Sequence, residues 1–151
     1  MTRRRRLRLQ GRATRDEARR FASSCAGALR AWGVPAERVA AAELAVAEAC
    51  ANVARHAYLD GDGGQMRLLL TLSGARVVLE LSDRGRAFDP TRHVHAPVEP
   101  DPDDPTSWPE GGMGLSILGE VVDALDYRRV RGENRLAMAL DLLRTEGAGR
   151  P

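Results

Sequence analysis

Between Met66 and Asp83 apolar side chains recur at every second position, first as Met66, Leu68, Leu70 and Leu72 and then as Val77, Leu79 and Leu81. A period of two turns one side of each segment toward a core and the other toward water, so both are strands. Ser73-Gly74-Ala75 is the turn signal between them, and the pair predicts a hairpin. The same alternation carries Asp83 onto the apolar face. A carboxylate desolvated there without a partner costs several kcal/mol, so the fold or a ligand must supply donors. Arg84-Gly85-Arg86-Ala87-Phe88-Asp89-Pro90 follows at once, and a glycine just past a strand lets backbone or ligand come close. Two readings stay open: Asp83 walls a ligand site, or it swings out to cap a turn.

The flanking segments supply the other elements. Leu7 and Leu9 between arginines suggest a short first strand ended by Gly11. Thr14 can cap a helix whose first turn holds Asp16 and Glu17. Ala18, Phe21, Cys25, Ala28, Leu29 and Trp32 form its apolar stripe before Gly33 stops it. A second helix is expected from Pro35, as a first-turn residue, to about Tyr58, with Val39, Val46, Cys50, Val53 and Ala57 buried. Asp60 to Gly64 form a turn. From Pro90 to Pro109 the prolines at 90, 97, 100, 102, 105 and 109 exclude helix and central strand, leaving a long acidic loop that is either a lid or a spacer. Gly111 to Gly114 lead into an apolar helix through Leu115, Leu118 and Val122. Leu125 to Val130 and Leu136 to Leu142 are the last strands, joined by a turn over Arg131 to Asn134, with a tail over about 144–151. This order predicts a two-layer α/β (α+β) sandwich: a mixed, mostly antiparallel sheet with helices on one face and the other face open.

At 151 residues the chain is read as one domain. Its net charge of +2 is too small to imply nucleic-acid binding. All 23 basic residues are arginine, which excludes a P-loop lysine, a Schiff base and a lysine nucleophile. Four arginines at positions 3–6 lack an apolar stretch behind them and fit a solvated strand edge better than a leader or a nucleic-acid arm. No segment has membrane-spanning length. Cys25 and Cys50 are expected as free thiols in a reducing, cytoplasmic setting.

Three local patterns bear on chemistry. Glu48 and Asn52 are neighbours four apart on the second helix, placed roughly opposite the Val46 and Cys50 stripe. With Glu37 and Arg55 they read as a solvated face, yet Ala41 and Ala45 leave room beside them for a ligand. A carboxylate can act as a base, and an Asn oxygen can ligate Mg²⁺. Gly112-Met113-Gly114-Leu115 opens a helix, where backbone amides can meet a phosphate, though a plain hinge explains it equally well.

Glu48-x-x-x-Asn52, Asp83-x-Gly85 and Gly112-x-Gly114-Leu115, in that order, resemble the N, G1 and G2 boxes of the GHKL ATPases. Glu48-Ala49-Cys50-Ala51-Asn52 running on to His56-Ala57-Tyr58, and Asp83-Arg84-Gly85 leading to Phe88-Asp89-Pro90, resemble the anti-sigma factor serine kinase branch over about residues 10–142. The resemblance implies a Bergerat fold binding ATP and Mg²⁺. Asp83 would accept from the adenine amino group, with Gly85 giving the base access and Phe88 at the site. Asn52 would ligate Mg²⁺, and Gly112, Met113, Gly114 and Leu115 would meet the phosphates under a lid over about 90–110. Glu48 would be the general base toward a serine of an anti-anti-sigma (STAS-type) partner, and a sigma factor or related regulator would be sequestered, with a homodimer as one assembly. A non-catalytic ATP-binding partner-switching module is the alternative, and a detached histidine-kinase ATPase domain a third. Two departures stand out: Ala87 replaces a glycine frequent in the G1 box, and Gly132-Glu133-Asn134 lacks the usual Gly-Thr, so adenine contacts from that turn are not expected. His56 reads as structural, and His93 and His95 as solvent-exposed.

Overall fold

The computed structural model describes residues 3–58, 64–92 and 118–143. Strand β1 spans Arg5–Arg12, helix α1 Arg15–Ala31, helix α2 Ala36–His56, and the hairpin comprises β2 Gln65–Ser73 and β3 Arg76–Asp83. After a single 3-10 turn at Pro90–Arg92 come β4 Ala124–Val130 and β5 Glu133–Asp141. The sheet order is β1-β2-β3-β5-β4. Every neighbouring pair is antiparallel, which corrects the expectation of a mixed sheet. The chain leaves β3, reaches the far edge as β4 and folds back as β5, so β5 meets β3 head to tail.

Helix α1 begins as its sequence requires: Thr14 is extended and its hydroxyl accepts from Glu17 N at 3.1 Å. At its other end Gly33 takes φ +81°, Gly33 N donates to Arg30 O and Val34 N donates to Leu29 O, a Schellman closure that also buries Val34. Pro35 precedes α2 at its cap position rather than entering its first turn, and the helix ends at His56 rather than Tyr58. Strand β1 continues through Gly11 to Arg12 because Gly11 pairs with Met66, so glycine does not end it. Arg5 and Arg6 lie in this exposed edge strand.

One face of the sheet carries both helices. Phe21, Cys25 and Leu29 from α1, Val39, Val46 and Cys50 from α2, and Met66, Leu70, Leu79, Met138 and Leu140 from the sheet form a continuous buried core, joined by Leu118 from the short helical segment 118–121. Each fully buried Leu, Val or Phe contributes about 1.5–3 kcal/mol relative to exposure. Trp32, expected in the stripe, is half-buried at the end of α1. The opposite face is open, as expected, and polar. There Glu133 draws in Arg135 at 2.9 Å, Arg84 at 3.5 Å and Arg67 at 3.6 Å. A broad concavity of about 870 Å³ crosses this face, lined by Arg8, Arg67, Arg84 and Arg135 against Glu80 and Glu133.

The turn between β4 and β5 is shorter than expected. Arg131 (φ 50°) and Gly132 (φ 76°) alone make it, a two-residue reversal matching the strand twist, so Glu133 and Asn134 belong to β5. No helix among the described residues is long and apolar enough to cross a membrane.

Cys25 and Cys50 are buried free thiols in the helix layer. Burial pushes Cys25 up to about 12 and raises Cys50 further, with the neighbouring Cys25 adding to that rise. Both thiols are expected to resist an aromatic disulfide reagent at pH 8 in the native protein and to react fully in denaturant; rapid native labelling of either would contradict this packing.

Candidate functional site

The antiparallel register puts the last residue of β3 beside the second residue of β5: Asp83 pairs with Asn134. Both lie on the face that carries Leu79, Leu81, Leu136 and Met138, and both are buried. The Asp83 carboxylate therefore points inward, and its donors come from the fold itself. Asp83 Oδ1 accepts from Gly85 N at 2.9 Å and from Asn134 Nδ2 at 2.9 Å. The first is the turn-capping bond that strand-end chemistry suggested, so the capping and site readings of Asp83 are compatible. Desolvation raises its pKa above the ordinary carboxylate value, against the lowering effect of these two bonds and of Arg129.

Asn134 is the site residue that sequence reasoning missed. Its Nδ2 also donates to Arg86 O at 3.0 Å, while its Oδ1 accepts from Tyr127 Oη at 2.6 Å and Arg129 Nη1 at 2.8 Å. Arg129 Nη1 further donates to Gly85 O at 3.0 Å. Placed in a turn, Asn134 had no face; placed in β5, it is a polar residue in the apolar row of Leu136, Met138 and Leu140. The signal that singled out Asp83 applied here too.

The turn 84–86 is anchored to the end of α2. The last carbonyls of a helix lack intrahelical donors. Here Arg86 N donates to Ala57 O at 2.8 Å and Arg86 Nε to His56 O at 3.2 Å. Tyr58 adds a staple, its hydroxyl donating to Gln65 O at 2.8 Å and accepting from Arg84 N at 2.9 Å. A Cβ on Gly85 would overlap the Ala57 carbonyl and methyl. The glycine thus serves the approach of turn and helix, whatever else it admits.

On α2, Asn52 is buried and its Oδ1 has no hydrogen-bond partner among the described residues. Ala45 and Ala49 beside it are buried as well, which overturns the solvated-face reading for this part of the helix and its placement opposite the core stripe. Glu48 is half-buried, one turn before Asn52, and has no hydrogen bond or ion pair among the described residues. Asn52, Asp83, Phe88, Pro90, Tyr127 and Asn134 line one cavity of about 30 Å³, closed by Ala49, Val53, Leu81 and Leu136. That volume holds about one water and no nucleobase. Phe88 stands at its wall with its ring stacked on His56, centroids 4.6 Å apart. Glu48 is not among the lining residues. Gly112, Met113, Gly114 and Leu115 lie outside the described residues, as do His93, His95 and the lid expected beyond Arg92.

No group of three or more His, Cys, Asp or Glu among the described residues could hold a metal ion. The orphaned Asn52 oxygen is nonetheless a hard donor of the kind Mg²⁺ accepts when ligand phosphates complete its shell.

The described residues form a two-layer α/β domain whose polar groups gather where the end of a helix meets strand ends. Residues 11–140 match the histidine kinase-like ATPase domain family, and the chain belongs to that family. It is 33% identical over 95 residues to the serine/threonine-protein kinase BtrW of Bordetella bronchiseptica, covering 63% of this chain and 65% of that protein. It is 34% identical over 105 residues to the serine-protein kinase RsbW of Halalkalibacterium halodurans, covering 69% of this chain and 63% of the relative. The matched stretch thus spans just under two thirds of either relative. Among solved structures, the RsbU and RsbW domains of Rv1364c from Mycobacterium tuberculosis superpose with a TM-score of 0.65 at 17% identity, over 91% of this chain and 32% of that one, a likeness of fold. The GHKL resemblance read from the three boxes holds.

Two outcomes follow from the geometry. Gly85→Ala forces backbone against backbone and is expected to cost about 1–3 kcal/mol in denaturant unfolding; an unchanged midpoint would refute the close approach. Asp83→Asn keeps an oxygen for both donors and removes a desolvated charge. Because the folded pKa of Asp83 is raised, its protonated form is the one the fold favours, so wild type gains relative to the variant as pH falls toward the ordinary 3.8 and loses as pH rises through the folded value. The Asp83→Asn Tm at pH 7 is therefore expected at or above wild type, the gap narrowing at pH 4; a large drop at pH 7 would contradict it.

Proposed function

We propose that this chain is an ATP-dependent protein serine kinase of the anti-sigma type. It phosphorylates a serine on an anti-anti-sigma, STAS-type partner and sequesters a sigma factor or related regulator. The observation that carries the reading is the meeting of a buried carboxylate with an orphaned buried amide oxygen at one cavity. The relatives' names supply the reaction class: both are called serine or serine/threonine kinases.

In this reading Asp83 accepts from the adenine amino group, and Phe88 leaves its stack on His56 to open a cavity otherwise too small for the base. Asn52 would hold Mg²⁺, whose charge offsets that of the phosphates when ATP is bound. Gly112, Met113, Gly114 and Leu115 would meet the phosphates through backbone amides. Glu48 accepts the serine proton as the serine oxygen bonds to the γ-phosphorus and the bond to the ADP oxygen breaks. Its half-buried position, with no ion pair among the described residues, leaves the carboxylate available for that task. Free thiols suit a reducing compartment, and the cytoplasm is the proposed setting.

Incubating the protein with γ-labelled ATP and a serine-bearing STAS partner tests transfer. ATP binding without transfer would leave the non-catalytic partner-switching module. Asp83→Asn is expected to abolish measurable ATP binding, whereas Glu48→Ala keeps ATP affinity within about two-fold and lowers transfer ~10²–10⁴-fold. Equal nucleotide affinity in Asp83→Asn and wild type would remove the adenine assignment.

A further inference from the structure

The hydrogen bonds around Asp83 are unevenly shared. Both donors, Gly85 N and Asn134 Nδ2, reach Oδ1, and Oδ2 receives none among the described residues. Asn134 is in turn held from both ends. Tyr127 and Arg129 occupy its carbonyl, which fixes the amide so that Nδ2 faces Asp83 and Arg86 O. An amide flip would aim its oxygen at a carboxylate and a carbonyl, two acceptors, so only this orientation is tolerated. Arg129 also grips Gly85 O, which ties the turn to the same clamp. Asp83, Tyr127 and Asn134 line the cavity, Gly85 and Arg86 form the turn beside it, and Arg129 braces both from β4 without lining the cavity.

We propose that Asn134, locked by Tyr127 and Arg129, is a positioning residue for base recognition: it saturates Oδ1 of Asp83 and leaves Oδ2 as the single acceptor offered to a purine amino group. The inference rests on the nucleotide reading of the pocket and adds the residue that sets its selectivity. A carboxylate fixed and ionised in this way accepts from a 6-amino group and repels a 6-oxo group. Released from Asn134, it can rotate, and it holds its proton to higher pH. Once protonated it donates, and a 6-oxo base becomes acceptable.

The acidity of Asp83 gives a readout that packing alone would not move. The charged and titratable groups around it are Arg84 and Arg86 in its own turn, Tyr127 and Arg129 from β4, Glu133 from β5, and His56 and Tyr58 at the end of α2. The Asn134 bond is the first of those acting to lower its pKa. Base binding requires the ionised form, so affinity falls as pH drops through the folded pKa. Loss of the Asn134 bond shifts that acid limb to higher pH.

The test is titration of ADP and inosine diphosphate into wild type, Asn134→Leu and Tyr127→Phe from pH 4.5 to 8. For Asn134→Leu the expected result is an ADP affinity about ten-fold lower at pH 7, the scale of one hydrogen bond to a charged group. Its preference for ADP over inosine diphosphate shrinks and its acid limb moves to higher pH. Tyr127→Phe, isosteric and short of only one hydroxyl, moves the limb the same way by less. Wild-type ADP binding together with unmoved acid limbs and unchanged selectivity in the folded variants overturns the positioning role and leaves the nucleotide reading intact. Should Asn134→Leu not fold, an unmoved limb in Tyr127→Phe overturns it alone. If wild type binds no ADP, the nucleotide reading fails and base selectivity with it; carboxyl NMR titration of Asp83 then checks the clamp itself, equal curves in wild type and Tyr127→Phe refuting it.

Discussion

A buried carboxylate facing a buried amide across two antiparallel strands is the contact on which the rest of this structure turns. Either group alone would be costly inside an apolar row. Together they satisfy one another and recruit a backbone amide, a tyrosine hydroxyl and an arginine, so that β3, β4, β5 and the turn after β3 meet at one point. The pairing depends on register. A slip of one residue between β3 and β5 would leave Asp83 opposite Glu133 or Arg135 and, with β3 held by β2, turn the apolar row of β5 away from the core.

Helix α2 brings the second half of the site to this point. Its apolar stripe is fixed against the sheet by Val39, Val46, Cys50 and Val53, which sets the rotation of the helix and hence the direction of Asn52. Its axial position is set by a different device, the capture of its terminal carbonyls by Arg86 and the bare Cα of Gly85 against Ala57. Rotation and height of one helix are thus governed by separate parts of the sequence, the packing stripe and the turn after β3. The orphaned Asn52 oxygen is the visible cost of that placement, since a buried acceptor is ordinarily paired.

The fold was legible where periodicity and punctuation agreed. The hairpin, the Thr14 cap and the Gly33 stop each rest on a local rule, and each stands in the structure. Asp83 was legible because one charged residue interrupted a clean alternation. Asn134 was not, because Arg131-Gly132-Glu133-Asn134 reads as a four-residue turn when the positive φ of Arg131 is unknown, and a two-residue reversal moves Asn134 into a strand. The direction of β5 was similarly hidden: strand order depends on a return from the sheet edge that no local pattern encodes. The polar sector of α2 misled for a related reason. Viewed as an isolated helix, Asn52 belongs with Glu48 and Arg55, whereas in the fold it shares a cavity with Asp83, Phe88, Pro90, Tyr127 and Asn134.

The clamp on Oδ1 of Asp83 is built from protein groups of β4, β5 and the turn after β3. Gly85, Arg86, Asn134 and Arg129 are tied to one another by mutual hydrogen bonds, so this end of the pocket has little conformational entropy left to lose when a molecule arrives. Rigidity of this kind favours discrimination by unmatched polar atoms over adaptation, because a ligand presenting the wrong edge meets groups with no alternative orientation. For a nucleobase to enter the cavity of about 30 Å³, the aromatic wall where Phe88 rests on His56 would have to yield. Under the proposed nucleotide reading the pocket would combine a stiff reader with a movable door, and the free energy of displacing that stack would set a threshold that any occupant must exceed before the reader is consulted.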